Sequence, residues 1–212
     1  MRFAPVDLQL FWKNLYGWII HPSNMPVPVP IKGSKKIALI SILAALCTAI
    51  QLTPRPPNVE FTSLFTFTIG SMFGSAAGIL FGNFIMFVNG FFSPWGFAGF
   101  NMPFQMAGMG LVGLFGGFYR NFLDGANQPK VYVEVAVYGA VLTVLYDIIT
   151  NFGVALSMMV SMPPILAVFT AFAYGIPFSA IHVATNVALF GIAFLPLIRS
   201  LNYIVPAVKG LG

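Results

Sequence analysis

The chain has 212 residues, of which 58% are hydrophobic and only 7% charged, and its formal net charge is +5. An average soluble domain carries about 25% charged residues, so this composition, with a mean hydropathy of +0.88, excludes that class and describes an integral membrane protein in a lipid bilayer. The basic residues are scattered at the ends of apolar segments, not in a stripe interleaved with aromatics, which argues against nucleic acid as a partner.

Residues 1–30 do not read as a signal peptide, because Asp7 and Lys13 interrupt the apolar run and no small-residue cleavage site follows it. Leu8, Phe11, Leu15, Trp18 and Ile19 recur at helical spacing, which predicts a short amphipathic helix, lying in the membrane interface or packed on the bundle. Pro26, Pro28 and Pro30 alternate with valines as a stiff linker to the membrane domain, residues 31–212.

The uninterrupted apolar stretches favour helices over the weak alternation of a barrel. Six spans are predicted at 37–53, 60–74, 75–92, 101–119, 131–159 and 167–198, an all-α bundle of six transmembrane helices. Gly74, Ser75 and Gly78 predict a tight turn between spans two and three, since residues 60–92 are too many for one crossing. The last two stretches are long enough to call for tilt or a break, at Gly175 and Pro177. Cys47 has no partner for a disulfide within the chain and reads as a small packing residue.

With six crossings, Lys32, Lys35, Lys36, Arg120, Lys130, Arg199 and Lys209 fall on one face and only Arg55 on the other, which predicts cytoplasmic termini. The segment "LTPRPPNVEFT", Leu52 to Thr62, then lies on the outer face between spans one and two. Glu60 and Asn89 come at the same outer level, and Gln105 lies about one turn inward. "YDIITN" at 146–151 and "IHVATN" at 181–186 each put an ionisable residue four positions before an asparagine, so Asp147 with Asn151 and His182 with Asn186 each occupy one helix face. Ionisable groups inside a span are costly unless paired or facing water, and mark a ligand or ion site. The alternative is an Asp147–His182 pair that only fixes helix packing. Trp95 and the phenylalanines of "FFSPWGFAGFNMPFQM" beside Gln105 suit a site that stacks a flat ring, or else an interfacial aromatic belt.

In span one, Ser41, Ala45 and Ala49 recur at intervals of four, a small-residue stripe that admits another helix closely. The chain has no phosphate-binding loop, no zinc-binding HExxH pair or Cys/His metal spacing and no nucleophile elbow. An enzyme, a metal site and a bound cofactor are therefore not expected, and any energy source lies in a partner or an ion gradient.

Taken in order, the Ala45-xxx-Ala49 stripe, "PPNVEFTSLF", "FGSAAGILFG", "PFQMAGMGLVGLFGG", "LYDIITN" and "PFSAIHVATNVALF" resemble, over about residues 33–200, a substrate-binding S component of an energy-coupling factor (ECF) transporter. Such proteins are small six-helix receptors of prokaryotic plasma membranes that capture vitamins and related micronutrients. The resemblance implies that Ser41, Ala45 and Ala49 dock on a transmembrane coupling subunit driven by two cytoplasmic ATPases. It further implies that substrate binds near the outer face, and that the protein topples in the membrane to release it inside. Pro54, Arg55, Pro56 and Pro57 would then form a gating loop from which Asn58 and Glu60 reach into the pocket. Arg55 contacts a substrate anion or pairs with Glu60.

The nickel and cobalt members of the family carry a histidine directly after the initiator, whereas this chain starts Met1-Arg2, which disfavours a metal substrate. Thiamine, riboflavin, a cobalamin-like corrinoid or a modified base all suit the sparse polar groups and many aromatics. Two other classes compete: an ion-coupled secondary carrier using Asp147 and His182 as a proton relay, and a purely structural membrane subunit.

Overall fold

The computed structural model describes residues 33–123 and 128–209. The expected interfacial helix and proline linker of residues 1–30 lie outside the described residues. Six α-helices follow in chain order: α1 Ser34–Leu52, α2 Thr62–Phe73, α3 Ser75–Phe92, α4 Met102–Tyr119, α5 Gln128–Met158 and α6 Pro164–Lys209. Short 3-10 turns at Gly99–Asn101 and Arg120–Phe122 flank α4, and no strand occurs among the described residues.

Among the described residues, three helices are long and apolar enough to cross a membrane: α3 over Ser75–Phe92, α5 over Lys130–Met158 and α6 over Pro164–Leu201. The apolar stretches of α1 and α2 are shorter, and α4 carries Gln105 among its glycines. α2 has only 12 residues, about 18 Å at 1.5 Å per residue, against a hydrocarbon core of about 30 Å. It is shielded from lipid by protein, since every residue from Thr62 to Met72 is buried. Large apolar side chains such as Ile37, Leu80, Phe169 and Ile192 point outward instead, the pattern of a surface solvated by lipid.

Two local expectations need correction. Gly74 alone breaks the chain between α2 and α3, with φ 93° and ψ 164°, a conformation closed to side chains with a Cβ. Ser75 already starts α3, and Gly78 lies inside that helix, where it serves packing and not the turn. No break occurs at Gly175 or Pro177, because α6 runs continuously over 46 residues. Membrane helices commonly tolerate a proline inside a span.

α2 forms the axis of the bundle and touches every other helix. Its lower half carries Phe67, whose ring lies 5.3 to 5.8 Å from those of Tyr119 on α4, Tyr138 on α5 and Phe190 and Phe194 on α6. On the other side, Gly70, Gly78, Gly113 and Gly116 bring the backbones of α2, α3 and α4 together, and a Cβ at any of them would collide with backbone. α5 and α6 pair along their length, while α1 is peripheral and packs on α2 and α3 through Leu43, Ala44 and Cys47. Lys36 Nζ donates to the Phe73 carbonyl at 3.2 Å, tying the start of α1 to the end of α2.

This packing makes the fold intolerant of volume at the glycine contact. A G113L substitution should lower stability by roughly 3 kcal/mol or prevent assembly, read as a drop in the thermal midpoint in detergent. L80A, on the outward face of the adjacent helix, should stay near the unmodified midpoint; equal midpoints for both variants would refute the packing account.

Candidate functional site

At the end of the bundle opposite that glycine contact, polar side chains from α2, α5 and α6 meet. Glu60 stands just before α2, and its carboxylate caps the helix start by accepting from the Ser63 amide at 3.0 Å. The same carboxylate accepts from Asn186 Nδ2 and contacts His182 Nε2, both at 3.3 Å through Oε1. The other ring nitrogen, His182 Nδ1, lies 2.8 Å from Asp147 Oδ1. An imidazole is thus clamped between two carboxylates, one from α5 and one from the segment leading into α2, with Tyr146 edge-on to its ring at 5.7 Å.

Burial is nearly complete: Glu60 and Asp147 are 7% exposed, His182 3% and Asn186 0%. Charges this deep persist only when paired and hydrogen-bonded. Beneath them, Thr143 donates its hydroxyl proton to the Gly139 carbonyl at 2.6 Å and therefore accepts from Asn186 Nδ2 at 2.8 Å. That contact orients the Asn186 amide toward Glu60.

Above this network opens a cavity of about 390 Å³, within the range of small-molecule sites. Asn58, Glu60, Asn89, Gln105, Asp147, Asn151 and His182 all border it, from five separate elements of the chain. Asn186 does not: it lies one turn below His182, fully buried, and supports Glu60 instead of facing the cavity. Trp95 and Phe97 form part of the rim and are largely exposed, whereas Phe91, Phe92 and Phe100 do not border it.

The segment between α1 and α2 closes the remaining side. Of its prolines only Pro57 borders the cavity; Pro54 and Pro56 face outward. Arg55 borders the cavity but is not the partner of Glu60, which His182, Asn186 and Ser63 already serve. Its Nε donates to the Val59 carbonyl at 2.7 Å and its Nη1 to that of Gln51, so the guanidinium braces its own loop. Asn58, the one non-glycine residue of positive φ among the described residues, donates through Nδ2 to the Phe178 carbonyl on α6 at 3.0 Å. This bond spans the mouth between loop and helix.

Several residues of the site were not anticipated. Gln51 accepts from the Thr62 hydroxyl at 3.0 Å, and Thr143 lies four residues before Asp147, so extending the Asp147–Asn151 face by one turn would have found it. Gly175 has a steric role: a Cβ there would stand 2.6 to 2.9 Å from the Asn151 amide, so its hydrogen makes the room that amide occupies. Among the described residues no group of His, Cys, Asp and Glu is arranged to hold a metal ion.

The shared histidine generates a direct expectation. H182A leaves two buried carboxylates without their common partner, and stability should fall by about 3–5 kcal/mol, measured as urea or thermal unfolding in detergent. Adding E60Q and D147N to H182A should recover part of that loss. A midpoint unmoved by H182A would mean that the carboxylates do not depend on it.

The match to known proteins covers the helices that build this site. A family model, the S component of ECF-type riboflavin transporters, matches residues 32–202. No curated protein and no solved structure matches the chain. The matched span takes in all six helices except the last residues of α6, together with every residue named above at the cavity. The chain is a multi-pass membrane protein that belongs to the ECF-type riboflavin transporter S-component family.

Proposed function

We propose that this protein captures riboflavin or a closely related flavin at the outer face of a prokaryotic plasma membrane and passes it inward as the substrate-binding subunit of an ECF importer. The cavity carries the proposal: it is sized for a small organic molecule, lined by amides and two carboxylates, and rimmed by Trp95 and Phe97. Asn58, Glu60, Asn89, Trp95, Gln105, Asp147, Asn151 and His182 are the binding residues, with Asn186 as the support beneath. The family name supplies the flavin, whose flat ring and polar edge agree with that lining.

The loop with Pro54, Arg55, Pro56 and Pro57 acts as the gate, stiffened by prolines and by the Arg55 brace, and held shut by Asn58. Six crossings with both termini cytoplasmic follow from the charge distribution. Ser41, Ala45 and Ala49 are exposed on α1 while Leu43, Ala44 and Cys47 face the bundle, which supports docking of that stripe on a coupling subunit. Two ATPase subunits drive the cycle, in which the S component topples to release its ligand.

The deciding experiment is a riboflavin titration of the purified protein, followed by quenching of flavin fluorescence and by native mass spectrometry of any ligand that travels with it. One flavin per chain is expected. A folded protein that neither carries nor quenches flavin would overturn the reading, and uptake that survives removal of the ATPases would point to an ion-coupled carrier instead.

Three variants separate the roles. A45W and A49W should prevent assembly with the coupling subunit while changing riboflavin affinity less than about twofold. N58A should speed flavin release by up to about tenfold, the worth of one hydrogen bond, measured by stopped flow. G175A should displace the Asn151 amide and weaken binding while leaving the thermal midpoint of the empty protein close to its original value. Unchanged release and affinity in N58A and G175A would remove Asn58 and Asn151 from the site.

A further inference from the structure

The charges around His182 are unevenly satisfied. Glu60 Oε1 is met by His182 Nε2, Asn186 Nδ2 and the Ser63 amide, and Oε2 accepts from that amide as well. Asp147 Oδ1 is met by His182 Nδ1, but Asp147 Oδ2 has no hydrogen-bond donor in the protein, although the residue is more than nine-tenths buried. Each bridge to the imidazole holds one proton, whichever end carries it, so the three side chains together bear a single negative charge. Of the four carboxylate oxygens in this network, Asp147 Oδ2 is the one without a donor, and Asp147 borders the cavity.

Nothing else in the wall answers it. Among the described residues that border the cavity, Arg55 is the only lysine or arginine, and two of its nitrogens are committed to the carbonyls of Val59 and Gln51. Asn89, Asn101 and Gln105 also carry oxygens without donors, but an amide can turn and present its N–H₂ instead. A carboxylate has no N–H₂ to turn in this way. Leaving it buried and unpaired is strongly unfavourable, and a ligand that brings a donor removes that cost.

We propose that Asp147 is the specificity-determining acceptor of the cavity: it accepts a hydrogen bond from a ring N–H of the ligand and repels ligands that turn an anionic edge toward it. This rests on the flavin reading above, and deepens it by naming the edge that is read. In a flavin the matching donor is the imide N–H, flanked by two carbonyls. Asn151, one turn along the same helix and also at the cavity wall, supplies an amide N–H for a flanking carbonyl. Asp147 thereby has two tasks: one oxygen holds His182 and the other awaits the ligand.

The test compares riboflavin with 3-methylriboflavin, in which a methyl group replaces the imide hydrogen, on the full chain in detergent or nanodiscs. The unmodified protein should bind riboflavin about ten- to a hundredfold more tightly than the methylated compound, the range expected of a hydrogen bond to a charged group. In D147A both ligands should bind equally weakly, and in D147N, which keeps the shape but not the charge, the preference should shrink to a few-fold. Circular dichroism and gel filtration establish that each variant is folded, and D147N carries the comparison where D147A does not fold. Equal affinity of the unmodified protein for the two flavins overturns the role of Asp147 while the flavin reading stands. A preference that persists undiminished in both variants also overturns it, because another part of the wall would then exclude the methyl group. If the folded, unmodified protein binds no riboflavin, the flavin reading itself falls and takes this inference with it.

Discussion

One imidazole held between two carboxylates governs the polar end of this bundle. His182 reaches Asp147 through one nitrogen and Glu60 through the other, so α5, α6 and the start of α2 are tied through a single ring. Helices in a bilayer gain little from hydrophobic association with one another, since lipid is as apolar as leucine. Directional polar contacts therefore set the register of these three helices far more strictly than apolar packing does. Glu60 has a further role, because its cap on the Ser63 amide fixes where α2 begins.

The opposite end of the bundle is ordered by another means. Glycines allow the backbones of α2, α3 and α4 to touch, and the aromatic cluster around Phe67 fills the space toward α5 and α6. No cavity residue comes from that layer, and it behaves as a rigid base. α2 joins the two regimes: Glu60 at its head belongs to the charge network, and Phe67, two turns below, to the packed base. A helix of 12 residues, too short to cross a bilayer by itself, suffices for that purpose because other helices surround it.

The helical segments were readable from hydropathy because long apolar runs separated by proline, glycine and charge leave few alternatives. Asp147, Asn151 and His182 were readable too, since an ionisable residue inside an apolar run must have a reason to be there. The partner of Glu60 was not. Arg55 is five residues away in sequence and looks like the obvious counter-ion, but its reach is taken by loop carbonyls, and the true partner is 122 residues distant. The Asn151–Asn186 symmetry misled for a related reason. Equal spacing within two helices says nothing of their relative height, and Asn186 falls one turn below the cavity floor. A break was expected at Gly175 because a glycine in a helix has the same sequence signature whether it bends the chain or makes room for a neighbour.

α1 brings two surfaces of the molecule together. Its outward face carries Ser41, Ala45 and Ala49, while Gln51, in the last turn of the same helix, is buried against Thr62 and borders the cavity. The carbonyl of Gln51 also anchors the Arg55 brace. A rigid shift of α1, held to the bundle chiefly by α2 and α3, would move Gln51 and the braced loop as one piece, pulling against the Asn58 bond to α6. That bond is neutral and lies at the rim, so it is the weakest link between the loop and the helices behind it.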